Sequence, residues 1–181
     1  MKRILACLVV AALVAPGLVL AADQTAMEKE RAEHRQQVAE ALSTMGRLMT
    51  AFDYITFYLS GPAVVLEGFT TKPVIKQDAA ASVKKIEWVS HVVNKIEELP
   101  IEPAINDLRA EVLSIVKAAS PQSFPQDRAY IRVKIDGGMN VTLVGWADPI
   151  DKVRLEAAVV NIKNLPLVKD VENEVVYQKI G

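Results

Sequence analysis

The feature of this sequence that most constrains its fold is an internal repeat. The runs VLEGF at 65–69 and TLVGW at 142–146 stand 77 residues apart, and each reads as an alternating strand that ends in glycine followed by an aromatic residue. Alternation of this kind is typical of a strand with one buried face. Each run follows a second strand-like run and a tight turn, at 55–62 and 131–138, so each copy is predicted to contain a β-hairpin.

Further elements recur around each hairpin. An Ala-rich stretch with apolar residues three or four apart follows it, which predicts a helix with one buried face. A Val-x-x-Val-x-Asn pattern then closes each copy as a strand, and a further helix precedes each hairpin. The predicted ranges are 26–49, 77–86 and a closing strand that runs through Asn94 to Ile96 in the first copy, and 104–119, 152–164 and a closing strand that runs through Asn173 to Tyr177 in the second. Thr71 and Asp148 are the predicted N-caps, with Pro149 at the first helical position.

The order of elements in each copy is therefore α-β-β-α-β. A three-stranded sheet must bury one face, and the helices of its own copy are the available cover. We predict an α/β fold of the α+β two-layer sandwich type, with two tandem units that each have a three-stranded mixed sheet covered by two helices. The predicted domains are 23–100 and 101–181, joined at the stiff segment Pro100–Pro103.

Residues 1–22 have the pattern of a secretory signal peptide. Lys2 and Arg3 form a positive n-region, residues 4–15 are apolar, and a Pro-Gly pair precedes a small-residue cleavage site at Ala21 or Ala22. A retained membrane anchor is the alternative. Cleavage would change the formal charge from −1 to −3 and remove Cys7, the single cysteine. The balanced charge argues against nucleic acid as a partner, and one cysteine cannot form a disulfide framework or a thiolate metal cluster.

The repeat resembles a known family. The run 141–146, the helix through Glu156–Ala158 and the closing motif Val168–Asn173 look like the BON domain, a bacterial envelope module often present in two copies. The motif residues matched in the two copies are Gly68, Gly145, Asn94 and Asn173. Members usually carry glycine before the closing motif, where this chain has Trp88 and Leu167. The resemblance implies a periplasmic protein that associates with phospholipid membranes or envelope proteins and supports envelope integrity or osmotic stress tolerance.

The sequence holds no enzyme signature, so we predict a protein without catalytic residues, metal ligands or cofactors. Glu30 and His34 could share a helix face, but the alternating charges around them favour a solvated helix. Ser90 and His91 are adjacent, with no acid nearby in sequence to complete a triad. Glu97 and Glu98 are neighbours in a predicted strand and point to opposite sides.

Two groups of residues combine cations with an amphipathic ring, as membrane-interface sites do. The tentative lipid-binding residues are Lys84, Lys85 and Trp88 in the first unit and Trp146, Lys152 and Arg154 in the second. In the competing interpretation the lysines form a solvated helix face and both tryptophans close the core. A protein–protein adaptor, which docks an envelope partner through a sheet edge or the apolar stretch of the 26–49 helix, is the alternative function. Self-association is also possible.

Overall fold

The computed structural model of the chain describes residues 16–126 and 128–179. The n-region, the apolar run and Cys7 of the predicted signal peptide lie outside the described residues. Pro16, which was expected to interrupt the apolar segment, is the first residue of a long helix. Within the described part of the chain, no helix has both the length and the apolar character needed to span a membrane.

The described elements follow the predicted α-β-β-α-β order twice, which confirms the α+β fold class. They are α1 (Pro16–Ser43), β1 (Tyr54–Ser60), β2 (Ala63–Thr70), α2 (Pro73–Val83), β3 (His91–Asn94), β4 (Glu97–Glu98), α3 (Pro103–Ala119), β5 (Ile131–Ile135), β6 (Asn140–Ala147), α4 (Lys152–Lys163) and β7 (Asp170–Tyr177). Two 3-10 turns, Pro121–Ser123 and Pro149–Asp151, flank the second hairpin.

The two sheets share one topology. In each, the hairpin strands pair antiparallel and the closing strand pairs parallel with the second hairpin strand, giving the orders β1-β2-β3 and β5-β6-β7. The first sheet differs from the predicted three strands because its closing strand is interrupted after Asn94. The short β4 resumes the parallel pairing beside Phe69 and Thr70 of β2.

Each sheet packs its own apolar core. In the first, Val38 and Met45, from the end of α1 and the turn after it, cover β2 together with α2. In the second, α3 and α4 cover alternate residues of β5 and β6. Helix α1 crosses from one compact unit, which ends at Gln37, to another that begins at Val38 and contains both sheets. The domain division at residue 100 stays a prediction, and we call residues 38–100 and 101–179 the first and second lobes.

The repeated glycines have the same structural role in both lobes. Gly68 and Gly145 have φ values of 120° and 116°, a region that L side chains rarely adopt. A Cβ atom on either residue would lie 2.0 Å from a backbone carbonyl oxygen, that of Tyr54 or Tyr130. The glycine therefore allows the second hairpin strand to come close to the backbone of Tyr54, the first residue of β1, or of Tyr130, the residue just before β5.

The local predictions for α2 were wrong in two respects. The helix begins at Pro73 rather than at 77, because proline fits the first helical position, and Lys72 occupies the N-cap without a side-chain hydrogen bond. Thr71 is therefore not the cap, and its backbone N–H donates to Asp53 instead. Asp148 caps the 3-10 turn Pro149–Asp151, where its carboxylate accepts from the N–H of Ile150, whereas the N-cap of α4 itself is Asp151.

The two lobes contact each other through the faces of the sheets that the helices leave uncovered. Phe69, Leu99 and Val144 form a small buried cluster there, with Tyr54 packed against it. Close to this cluster, Lys134 of β5 pairs with Glu97 at 2.5 Å.

The segment between α1 and β1 also reaches the second lobe. The N–H of Val133 donates to the carbonyl of Ala51 at 2.8 Å, and Phe52 packs against the second core. The free side of β5 is thus partly covered by a segment of the first lobe.

Candidate functional site

One end of the second lobe exposes two large aliphatic side chains beside two cations. Ile150 and Val153 are 72% and 76% exposed, and Lys152 and Arg154 lie on either side of Val153 in the chain. These residues lie on the 3-10 turn Pro149–Asp151 and the first turn of α4. We call residues 149–154 the tip.

A buried polar network holds the tip in place. Asp151 has no exposed surface and accepts a hydrogen bond of 2.6 Å from the hydroxyl of Ser120, at the end of α3. The hydroxyls of Ser120 and Ser123 lie 2.7 Å apart. Arg154 donates to the same carboxylate. The tip is therefore tied to the lobe by hydrogen bonds, and the charge of Arg154 is largely balanced by Asp151.

Lys152 also has partners within the lobe. Its ammonium lies 3.9 Å from the carboxylate of Glu156 and 5.6 Å from the ring centroid of Tyr177. The Glu156 pair is exposed on both sides, and such pairs contribute little to stability. Lys152 can therefore leave this contact for an anion in solution or on a surface.

Trp146 is 43% exposed, but it lies on the other face of the sheet from the tip. Val141, Leu143 and Ala147 point into the core beneath α3 and α4, so alternation places Trp146 on the opposite face. The structure therefore does not place Trp146 with Lys152 and Arg154, although all three are on the surface. The competing interpretation that Trp146 closes the core does not fit this exposure.

An open groove of about 950 Å³ lies beside Trp146. Its walls carry three arginines from separate segments: Arg47 from the turn after α1, Arg128 from the loop before β5, and Arg132 from β5 itself. Tyr130 and Met49 also line it. We call this site the arginine groove. Sequence patterning does not predict it, because the contributing residues share no periodicity and lie up to 85 residues apart.

A buried carboxylate lies near the groove but is already occupied. Asp53 has no exposed surface, and its two oxygens accept from the hydroxyls of Thr50 and Thr70, both at 2.7 Å, and from the N–H groups of Thr50 and Thr71. Burial alone would raise the pKa of Asp53, but these hydrogen bonds outweigh it and hold the pKa below its usual value.

Arg132 carries its charge in a half-buried position. Burial lowers the pKa of its guanidinium from the ordinary value, and the charges of Asp53 and Tyr54 partly offset this effect. Within the described residues, the guanidinium groups of Arg47, Arg128 and Arg132 make no hydrogen bond or ion pair. Among the residues that the structure describes, the groove is thus a concentration of positive charge without balancing acids in contact.

The predicted residues of the first lobe form no comparable site. Lys84 and Lys85 are exposed just after α2, while Trp88 is half-buried and packs against the first core. For Trp88 the core interpretation fits the structure better than display at a membrane surface.

The two motif asparagines make the same local contact. The side-chain oxygens of Asn94 and Asn173 each accept from the N–H two residues further on, at 3.2 Å. Asn94 also donates to the carbonyl of Lys76 in α2 at 2.8 Å, whereas Asn173 donates to the hydroxyl of Tyr177. Their shared role is to shape the closing strand.

The structure brings one pair of candidate catalytic residues into contact. The hydroxyl of Ser90 lies 3.0 Å from Nδ1 of His91, but both residues are exposed and Ser90 also contacts the carbonyl of Pro62. Within the described residues, no three His, Cys, Asp or Glu side chains come together as metal ligands. The absence of catalysis, metal and cofactor stays a prediction.

The second lobe, a three-stranded mixed sheet covered by two helices, is the part of the chain that a known family matches. Residues 105–179, which lie within the second lobe, match the BON domain family. The match does not extend to the first lobe, so the tandem assignment is confirmed for one copy only and the first remains a BON-like prediction. No curated protein matched the sequence.

Two solved structures from Chlamydia trachomatis have a remote similarity to the chain. One is CdsD, described as a structural protein of the type III secretion system, with 12% identity over 80% of this chain and 91% of that chain. The other is the C-terminal domain of CdsD, with 12% identity over 80% and 96%. Both have a TM-score of 0.29, which is too low to carry an argument.

Proposed function

We propose that this protein is a non-catalytic envelope protein that associates with phospholipid membrane surfaces through the tip of its BON domain. In this proposal the protein is exported to the periplasm by its N-terminal segment and supports envelope integrity or osmotic stress tolerance. The BON family, which is associated with membrane and phospholipid binding, supports the membrane role.

The observation that carries the proposal is the exposure of Ile150 and Val153. Two aliphatic side chains in adjacent turns are exposed to water beside Lys152 and Arg154. Aliphatic side chains that enter the headgroup region leave water, while neighbouring cations stay at the anionic surface. Lys152 contributes most of this attraction, because Arg154 is paired with the buried Asp151.

Lys84 and Lys85 of the first lobe have a secondary part in this proposal. They are exposed cations, and each cation close to an anionic surface adds on the order of 1 kcal/mol of attraction. Trp88 packs against the first core, so insertion of its ring is not part of the proposal.

Co-sedimentation with phosphatidylglycerol vesicles tests the proposal directly. Replacing Ile150→Ser and Val153→Ser together removes the aliphatic surface, and a loss of about 2 kcal/mol would weaken partitioning roughly 30-fold. The matched control is Val74→Ser with Ile101→Ser, which removes two exposed aliphatic residues elsewhere. Equal binding by the two double variants would contradict the proposal, as would failure of the unaltered protein to bind.

An adaptor role is the second candidate, and the free edge of β7 favours it. Among the described strands, this eight-residue strand pairs only with β6. An exposed edge can accept a strand from a partner or from a second copy. Helix α1 offers less, since Val38 and Met45 of its predicted docking stretch are buried in the first core. Photo-cross-linking from position 174 in cells would test this role, and recovery of self-contacts alone would argue for self-association instead.

A further inference from the structure

The arginine groove brings together three arginines from separate segments of the chain. Lys76, Lys95 and Lys134 each contact a carboxylate within 3.3 Å. Among the described residues, Arg47, Arg128 and Arg132 have no such partner. Three cations that share one groove without acids in contact repel each other, so a bound anion would relieve that repulsion.

The nearest buried acid does not remove this imbalance. Asp53 is close enough to affect Arg132 electrostatically, but four strong hydrogen bonds from threonines already occupy its oxygens. Arg132 is also half-buried, and a charge that has lost part of its water gains more from a directly bound anion than an exposed one does.

The shape of a guanidinium group indicates which class of anion fits the groove. Each arginine presents a planar fork of N–H donors that matches two oxygens of a carboxylate or a phosphate. Three forks placed around one ligand need acceptor oxygens that point in several directions, and a tetrahedral phosphate ester presents them, whereas a planar carboxylate presents both its oxygens at one side. The exposed ring of Trp146 and the side of Tyr130 offer apolar walls for an organic substituent. The volume of the groove is large enough for such a group as well as the phosphate.

We propose that the arginine groove binds a phosphate ester, with Arg47, Arg128 and Arg132 on the phosphate oxygens and the organic part against Trp146. The ester is either a phospholipid headgroup or a soluble phosphate ester. The headgroup alternative rests on the proposed function, because it requires the protein to reach a membrane. The groove and the tip lie on different faces of the second sheet, so the two sites can be tested separately.

Fluorescence titration of the purified, processed protein provides the test. A Trp88→Phe background leaves Trp146 as the reporter ring. The probes are glycerol 3-phosphate and monomeric dihexanoyl phosphatidylglycerol, each compared with succinate at equal ionic strength. We expect a saturable change with at least one phosphate probe and none with succinate.

The variant pair Arg47→Gln with Arg132→Gln should weaken phosphate binding at least tenfold. The control pair Lys169→Gln with Lys179→Gln removes the same charge from exposed positions outside the groove and should change binding less than twofold. Arg128→Gln, at an exposed loop position, gives a third variant if the groove pair does not fold.

The outcomes separate the sources of phosphate and the two proposals. Arginine-dependent binding of glycerol 3-phosphate supports the groove as a site for soluble esters, and arginine-dependent binding of the lipid probe alone supports the headgroup. Equal weakening by the groove and control pairs, or no binding of either probe, overturns the inference. The Ile150→Ser, Val153→Ser protein should keep phosphate binding while it loses vesicles, so failure of one proposal does not imply failure of the other.

Discussion

Gly145 is the residue at which the backbone of the second lobe tolerates least change. Its φ is 116°, and a Cβ atom added there would lie 2.0 Å from the carbonyl oxygen of Tyr130, which leaves no room for a side chain. We predict that Gly145→Ala lowers the free energy of unfolding by about 3 kcal/mol, because strain and a backbone clash act together. Urea denaturation followed by circular dichroism measures this change.

The hairpin turn provides the control for this substitution. Gly137 has open space where a Cβ would lie. Gly137→Ala should therefore stay within about 0.5 kcal/mol of the unaltered protein. A similar loss for both substitutions would show that the close approach of the backbone at Gly145 is not the cause.

Asp53 should make the stability of the protein depend on pH in the acid range. Its pKa is lower in the folded state than in the unfolded chain, so the folded state favours the carboxylate. The stability that this provides is present above the unfolded pKa of about 3.9 and is lost as pH falls through the folded value. Asp53→Asn should cost about 2 kcal/mol at pH 7, because an amide cannot accept all four hydrogen bonds.

Urea midpoints measured between pH 7 and pH 2.5 test this prediction. The difference between the unaltered protein and Asp53→Asn should shrink as the pH falls below about 4. A difference that stays constant over the whole range would mean that the carboxylate charge has no part in it.

At the scale of elements, the orientation of α4 determines which of its residues meet a membrane. Val160 lies seven residues after Val153 and therefore on the same helix face, and it is also exposed. If the tip alone enters the surface, Val153→Ser should weaken vesicle partitioning about fivefold and Val160→Ser less than twofold. Equal losses in a vesicle sedimentation assay would show that α4 lies flat on the surface.

The elements that could be predicted from sequence are those with a strong local period. The predicted bounds of both hairpins and of α3 agree closely with the structure. Alternation in a strand and a spacing of three to four residues in a helix both indicate which side is buried. The predicted start of α2 was wrong because the prediction followed the Ala-rich run, which begins four residues too late. Pro73 marks the true first position of the helix. The arginine groove was not predictable in this way, because tertiary packing alone brings Arg47 to the second hairpin.

The tip illustrates the same limit. Lys152 and Arg154 were identified from their charge, but the full burial of Asp151, the partner of Arg154, involves a hydrogen bond from Ser120, 31 residues before that carboxylate. Sequence patterning places residues on faces of their own element. It does not show which acid becomes buried against another element.

At the scale of the whole molecule, we predict that the two lobes unfold together. The cluster of Phe69, Leu99 and Val144 and the Lys134–Glu97 pair join the sheets, and each core is small. Because each lobe has one tryptophan, Trp88→Phe and Trp146→Phe proteins report on the lobes separately. Their urea transitions should coincide in the otherwise unaltered chain.

Weakening the contact between the sheets should separate these transitions. Phe69→Ala removes the largest side chain of the cluster and should cost about 3 kcal/mol. The tryptophan signals of the two lobes should then have different midpoints. Coincident midpoints after this loss would show that the lobes are coupled elsewhere, for example through the segment at Ala51 and Phe52.

The contact of that segment with β5 has a consequence for any attempt to isolate the region that matches the BON family. Ala51 covers part of the open side of β5, and Phe52 fills space against the second core. A fragment starting at residue 101 would keep every residue of the family match yet lose both contacts, leaving β5 as a second bare edge opposite β7. Such a fragment would be prone to add strands from its neighbours and aggregate, so the region recognised by similarity is smaller than the region needed to cover the edge of β5.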